Sequence, residues 1–205
     1  MLLLNLGCGA VLPPSPWLNL DTRAVSANNA VQMNILNFPW PCSTGTVDGI
    51  LASHLFEHFN SHCLQNVLSE CYRVMRPNGV LRVSVPDASY FREMQPKDSR
   101  LNAMTLFGEG IKAEHLDTFM GYALFFHEHL QLFTEDSLWC SLVNREYPNK
   151  LGSFLPADVC RVHPKETSRP EHYCSSLLAQ MDNRLKFSLI MEAFKPPHGA
   201  GVNPT

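Results

Sequence analysis

Charge is scarce in this 205-residue chain. Asp, Glu, Lys and Arg make up 17% of it, below the roughly 25% usual for soluble domains. The charges nearly balance, 16 Lys+Arg against 19 Asp+Glu, for a formal net charge of −3. Without a cationic excess or a run of like charges there is no footprint for long nucleic acid, which is disfavoured as a partner. No apolar stretch approaches the ~18 residues of a membrane span, so no membrane partner is expected. Cys-x-x-Cys pairs are missing, and seven cysteines at irregular intervals do not make a disulfide framework. Met1-Leu2-Leu3-Leu4 has a faint look of a secretion signal, but Arg23 is the first cation and Asn5, Gly7 and Gly9 interrupt the apolar stretch. A reduced, cytoplasmic protein is the expectation.

What is present is a hydrophobic share of 45%, enough for one domain over residues 1–205. Leu2 to Leu6 is an apolar run ending at Gly7-Cys8-Gly9, which predicts a buried strand entering a tight turn. Pro13, Pro14 and Pro16 forbid a long helix directly afterwards. Trp17 to Asp21, Ala30 to Ile35 and Val47 to Ala52 predict three more strands. Then the period changes. Leu64, Val67, Leu68, Cys71, Val74 and Met75 share one helical face, and Pro77-Asn78-Gly79 is expected to stop that helix before a fifth strand, Val80 to Val85. Asp158 to Val162 and Phe187 to Phe194 predict two last strands. The alternation implies an α/β fold with a seven-strand, mostly parallel sheet and helices on both faces. The aromatic stretch 88–130 breaks the rhythm and is expected to be a helical cover over the carboxyl edge of the sheet, where open α/β folds bind ligands.

The clearest chemistry lies at the first turn. A strand followed by Gly-x-Gly lets backbone approach a ligand closely, and an acid ending the next strand can accept two hydrogen bonds from a ribose diol. Gly7, Gly9 and Asp21 supply both parts. The dinucleotide fingerprint is not met: Leu12 stands where a third glycine is needed, and the acid follows Gly9 by twelve residues in place of ~20. A nucleoside without phosphates fits better than a diphosphate.

These residues resemble the opening of class I S-adenosylmethionine-dependent methyltransferases, closest to the small type-11-like predicted ones. The likeness is carried by Leu4-Asn5-Leu6-Gly7-Cys8-Gly9, Trp17-Leu18-Asn19-Leu20-Asp21 and Phe38-Pro39-Trp40-Pro41. It continues through Ala52-Ser53-His54-Leu55-Phe56-Glu57-His58, Tyr72 to Gly79 and Leu81 to Asp87, and thins beyond residue 90. It implies a Rossmann-like sheet with S-adenosylmethionine as cofactor. By position, it implies that Gly7, Cys8 and Gly9 contact the methionine part through backbone and that Asp21 holds the ribose hydroxyls. Asn34 stands near the adenine amino group, where the family usually has an aspartate, and Ser53 and His54 border the sulfonium.

Three residues are candidates for acceptor chemistry. His127 or His129 is suited to removing a proton from a hydroxyl or amine, and Asp87 ends the fifth strand at the same edge. His54-Leu55-Phe56-Glu57-His58 has the His-x-x-Glu-His spacing of an inverted zinc-protease motif, with His62 one step further. The resemblance accounts for Glu57 and His58 as a helix-start cluster, and no metal is expected. The reading is methyl transfer to a small-molecule or sugar-type acceptor. Its rivals are a non-catalytic protein of the same fold, a nicotinamide oxidoreductase and a metal hydrolase.

Overall fold

Seven segments line up side by side, and the central ones are apolar because they carry side chains alternately to two buried faces. They are seen in a computed structural model that describes residues 1–23, 27–93, 129–143, 154–182 and 187–197. The strands are β1 (Leu3–Leu6), β2 (Trp17–Asp21), β3 (Ala30–Gln32), β4 (Val47–Ser53), β5 (Met75–Pro86), β6 (Val159–Val162) and β7 (Ser188–Phe194). Their order is β3-β2-β1-β4-β5-β7-β6. β1 to β5 pair in parallel, and β7 runs antiparallel to both β5 and β6. One strand of the seven is therefore reversed, and the expected mostly parallel, Rossmann-like α/β sheet is found.

Helices cover both faces. α1 (Ser61–Val74) and α3 (Glu135–Val143) bring Leu64, Val67, Leu68, Leu138 and Leu142 against Leu4, Leu6, Ile50 and Val83. α4 (Tyr173–Gln180) covers the other face, where Cys174 and Leu178 meet Leu3, Leu51 and Val80. The short α2 (Ala88–Glu93) follows β5 directly. Of the expected cover over 88–130, only this helix and residues 129–130 are described.

The structure corrects several boundaries. The third strand ends at Gln32 rather than Ile35: the Met33 N–H makes the last rung, to the Asp21 carbonyl, and Asn34 Oδ1 then accepts the Leu36 N–H in a local turn. The helix ends at Val74. Met75 already pairs with Val47, and Pro77-Asn78-Gly79 sits inside a long β5 as an irregularity opposite Val47–Gly49. A Cβ on Gly79 would lie 2.9 Å from the Arg76 carbonyl oxygen and 3.2 Å from that of Val47, so backbone on two sides excludes any side chain there. Helices α3 and α4 were not expected at all.

One buried ionic group braces the far side of the sheet. Arg82 of β5 is 0% exposed and faces its cross-strand neighbour Glu192 at 2.7 Å and Asp182 at 2.6 Å. The remaining carboxylate valences are filled by the Lys165 N–H and by Thr167 and Ser168. Every charge in the group is matched by hydrogen bonds, the condition under which such a group is tolerated in a core.

Candidate functional site at the carboxyl edge of the sheet

Parallel strands deliver their carboxyl ends to one edge, and Gly7, Cys8, Gly9, Asp21, Ser53, His54 and Asp87 stand at the ends of β1, β2, β4 and β5 there. β1 ends into Gly7-Cys8-Gly9, with Gly7 and Gly9 at φ of +61° and +57°. That left-handed backbone suits glycine, and a Cβ on Gly7 would also run into Leu55 at 2.7 Å. The Gly7 and Cys8 N–H groups both donate to the Leu20 carbonyl, at 2.8 and 3.2 Å. The Gly9 N–H donates to Asp21 Oδ2 at 2.8 Å, so the turn and the acid predicted to work together are in direct contact. The connection to β2 holds no helix. Asparagine side chains pin it instead: Asn5 to the Val11 carbonyl and to Asn19, Asn19 and Asn29 to the Pro13 carbonyl.

Asp21 is buried and meets Arg23 twice more, accepting from its backbone N–H at 2.9 Å and its guanidinium at 3.2 Å. Burial alone would raise its pKa. The hydrogen bonds from the Arg23 side chain and backbone and from Gly9 outweigh that, and the carboxyl is held below its ordinary value. It is an anion at neutral pH. The Arg23 side chain is 71% exposed, so its hold on Asp21 is a surface contact that a ligand can displace cheaply. Burial, and next the Asp21 charge, push the Cys8 thiol up, which leaves it unreactive. Asn34 is joined to this group only through the neighbouring Met33–Asp21 backbone bond.

The next two strands supply the second half. β4 ends at Ser53, and His54 follows at φ +51° with its N–H on the Ser84 carbonyl at 2.7 Å. His54 Nε2 lies 2.9 Å from the Ser188 hydroxyl, and its Nδ1 is 3.4 Å from Glu57 Oε1. His129 Nε2 approaches the same oxygen at 3.9 Å, and the His58 and His129 rings stand edge to face at 4.8 Å. Asp87 serves as the cap of α2, accepting the Ser89 N–H at 2.9 Å, while its other oxygen is 3.7 Å from Arg161. His127 lies outside the described residues.

Sequence reasoning missed Arg23, Leu55 and the part played by Glu57 and His58. Those two are not the start of α1. They occupy a separate 3₁₀ turn, Phe56–His58, and the cap of α1 is Asn60, whose side chain accepts the Cys63 N–H. His62 is exposed on α1 and does not join them. The signal was the His-x-x-Glu-His string itself, whose partner His129 comes from seventy residues further on.

Comparison with known proteins bears on the fold and the family. No curated protein matches the chain. Among solved structures, a SAM-dependent methyltransferase from Archaeoglobus fulgidus superposes with a TM-score of 0.52 at 15% identity, covering 94% of this chain and 85% of that one. The plantazolicin methyltransferase BpumL, in complex with a triazolic desmethylPZN analog and SAH, gives 0.54 at 14% identity, covering 95% and 76%. A family model described as a methyltransferase domain matches residues 11–140. The chain belongs to that family and is a class I S-adenosylmethionine-dependent methyltransferase.

Proposed function

We propose that the chain transfers a methyl group from S-adenosylmethionine to a small-molecule or sugar-type acceptor, with the cofactor lying across the ends of β1, β2 and β4. The observation that carries this is the bond from the Gly9 N–H to Asp21, which presents an ionised carboxylate beside a turn built on two left-handed glycines. The donor set fits the cofactor. Asp21 accepts the ribose hydroxyls in place of the exposed Arg23 guanidinium, while the Gly9 and Arg23 N–H groups keep the carboxylate oriented. Gly7, Cys8 and Gly9 line the methionine part, Asn34 accepts from the adenine amino group, and Ser53 and His54 border the sulfonium.

The bound cofactor supplies an already activated methyl group, so the protein's work is positioning and exclusion of water. Asp87, His127 and His129 are the groups for an acceptor that arrives protonated. In this reading residues 1–205 form a single methyltransferase domain and 88–130 is its substrate-covering insertion. All seven cysteines are free thiols, which supports a reducing, cytoplasmic setting. No helix among the described residues is long and apolar enough to cross a membrane.

The test is calorimetric titration with S-adenosylmethionine and S-adenosylhomocysteine, followed by methyl transfer assays on hydroxyl, amine and thiol acceptors and on sugars. Binding of both cofactor forms, with turnover on at least one small acceptor, is expected. Binding of a nicotinamide dinucleotide in their place would overturn the proposal.

A further inference from the structure

Among the described residues of this edge, the Glu57 carboxylate is a feature that methyl transfer does not explain. Its side chain is 0% exposed, and neither oxygen has a hydrogen-bond partner in the structure. A buried carboxylate left in that condition is strongly disfavoured unless a cation lies against it. What faces it is imidazole on two sides: His54 Nδ1 at 3.4 Å and His129 Nε2 at 3.9 Å.

We propose that Glu57, His58 and His129 form a binding site for a divalent transition-metal ion of the zinc class. One ligand atom from each of the three lies within 4.8 Å of the other two. Tetrahedral zinc with bonds near 2.0–2.1 Å needs its ligand atoms about 3.4 Å apart, so small side-chain rotations close the site. Two imidazole nitrogens and one carboxylate are a donor set for zinc rather than for magnesium or calcium, which take oxygen. Three protein ligands leave a fourth position for water or for a heteroatom of the acceptor.

The backbone holds the ligands in place beforehand. The Leu130 and Gln131 N–H groups both donate to the Glu57 carbonyl, at 2.8 and 3.3 Å, and the Gln131 side chain donates to the Phe59 carbonyl at 2.8 Å. The stretch bearing His129 is thereby clamped to the turn bearing Glu57 and His58. The site departs from the sequence expectation of no metal, and it departs from the motif too: His54 and His62 are not ligands, and Glu57 and His129 stand beside His58 in their place. It goes beyond the methyl-transfer reading: with an ion bound, His129 acts on the acceptor through that ion.

The experiment uses the full chain, stripped with chelator and titrated with zinc chloride by calorimetry, then with cobalt(II) followed by visible absorption. One ion per chain is expected, with the ligand-field bands of a low-coordinate nitrogen and oxygen site. Glu57→Gln and His129→Ala should each weaken binding by more than the ~10–100-fold that loss of an outer-shell partner costs, while His62→Ala changes nothing. Should either variant fail to fold, wild-type protein answers alone, because zinc must shield His58 and His129 from diethyl pyrocarbonate. Absence of stoichiometric zinc binding by the wild type, binding that survives Glu57→Gln, or unshielded histidines each overturn the proposal. None of these readings involves the methyl donor, so the metal site can fail while cofactor binding stands.

Discussion

Replacing Asp21 by Ala separates two jobs that one carboxylate does. In the free protein it accepts the Gly9 and Arg23 N–H groups at 2.8 and 2.9 Å, both at the rim of the sheet where water can take over part of the loss. Each such bond to a charged acceptor contributes about 1.5–3 kcal/mol at most, so a stability loss of about 1–3 kcal/mol in total is expected. In the complex, the ribose diol loses its anionic acceptor, which is a further ~1.5–3 kcal/mol of binding. At 1.4 kcal/mol per tenfold, that weakens S-adenosylhomocysteine binding by about 10- to 150-fold. Calorimetry at a temperature where the variant remains folded reads the second effect, and urea denaturation reads the first. Arg23→Ala is the control: it keeps the backbone N–H and removes a competitor, so affinity should hold or rise slightly. An Asp21→Ala protein that folds and binds the product as tightly as wild type refutes the ribose assignment. So does an Arg23→Ala loss as large as that of Asp21→Ala, which would move the grip to the guanidinium.

The remaining predictions concern the frame around the site. Gly7→Ala forces a side chain onto φ +61° and displaces Leu55, so cofactor affinity should fall together with about 1–2 kcal/mol of stability; a normal dissociation constant would show that the turn tolerates the Cβ. Glu70 accepts from the Trp40 N–H at 2.6 Å and from Arg73 at 2.6 and 2.7 Å. Burial opposes its ionisation, but the Arg73 side chain and the Trp40 N–H prevail and hold its pKa below the ordinary value. A lowered folded-state pKa gives stability that is present above the unfolded value and lost as pH falls through the folded one. Glu70→Gln should thus melt lower than wild type at pH 7, with the gap closing below about pH 4; a gap independent of pH contradicts the ion pair as its source. Arg82→Met strands two buried carboxylates and should cost about 3–5 kcal/mol by urea denaturation, whereas a variant with all three of Arg82, Asp182 and Glu192 made apolar should recover most of it. Equal loss in both would mean that shape, and not charge, holds this corner.

Much of this molecule was legible in its sequence, and the parts that were not have physical causes. β2 was read to the residue because Trp17 and Asp21 bound an alternating run. The β1 turn and Asp21 are paired by their chemistry in the sequence, and a 2.8 Å hydrogen bond joins them in the fold. β5 was read too short, since Pro77-Asn78-Gly79 has the composition of a helix stop. Its actual role depends on Met75 pairing with Val47, a contact made across 28 positions of chain. Helix α3 is announced only by Thr134 accepting the Ser137 N–H and by Leu138 and Leu142 four apart, a weak pattern in nine residues. α4 is similar: its cap is His172, whose Nδ1 accepts the Ser175 N–H, a residue type outside the usual capping set. The Glu57 cluster was beyond reach for another reason. Its string was visible, but His129 joins it only through a clamp between two distant backbones.

The same clamping logic bears on which ligand the first turn accepts. A pyrophosphate is held by free N–H groups at a glycine turn and by the helix that follows it. Here the Gly7 and Cys8 N–H groups are given to Leu20 and that of Gly9 to Asp21, so all three are committed before any ligand arrives. No helix follows, and Asn5, Asn19 and Asn29 hold the chain where its N-terminus would be. A turn with its donors committed has no backbone N–H left to offer a phosphate. A nucleoside joined to a sulfonium amino acid needs no phosphate-binding N–H here, which is why we assign that ligand, and not a dinucleotide, to this edge.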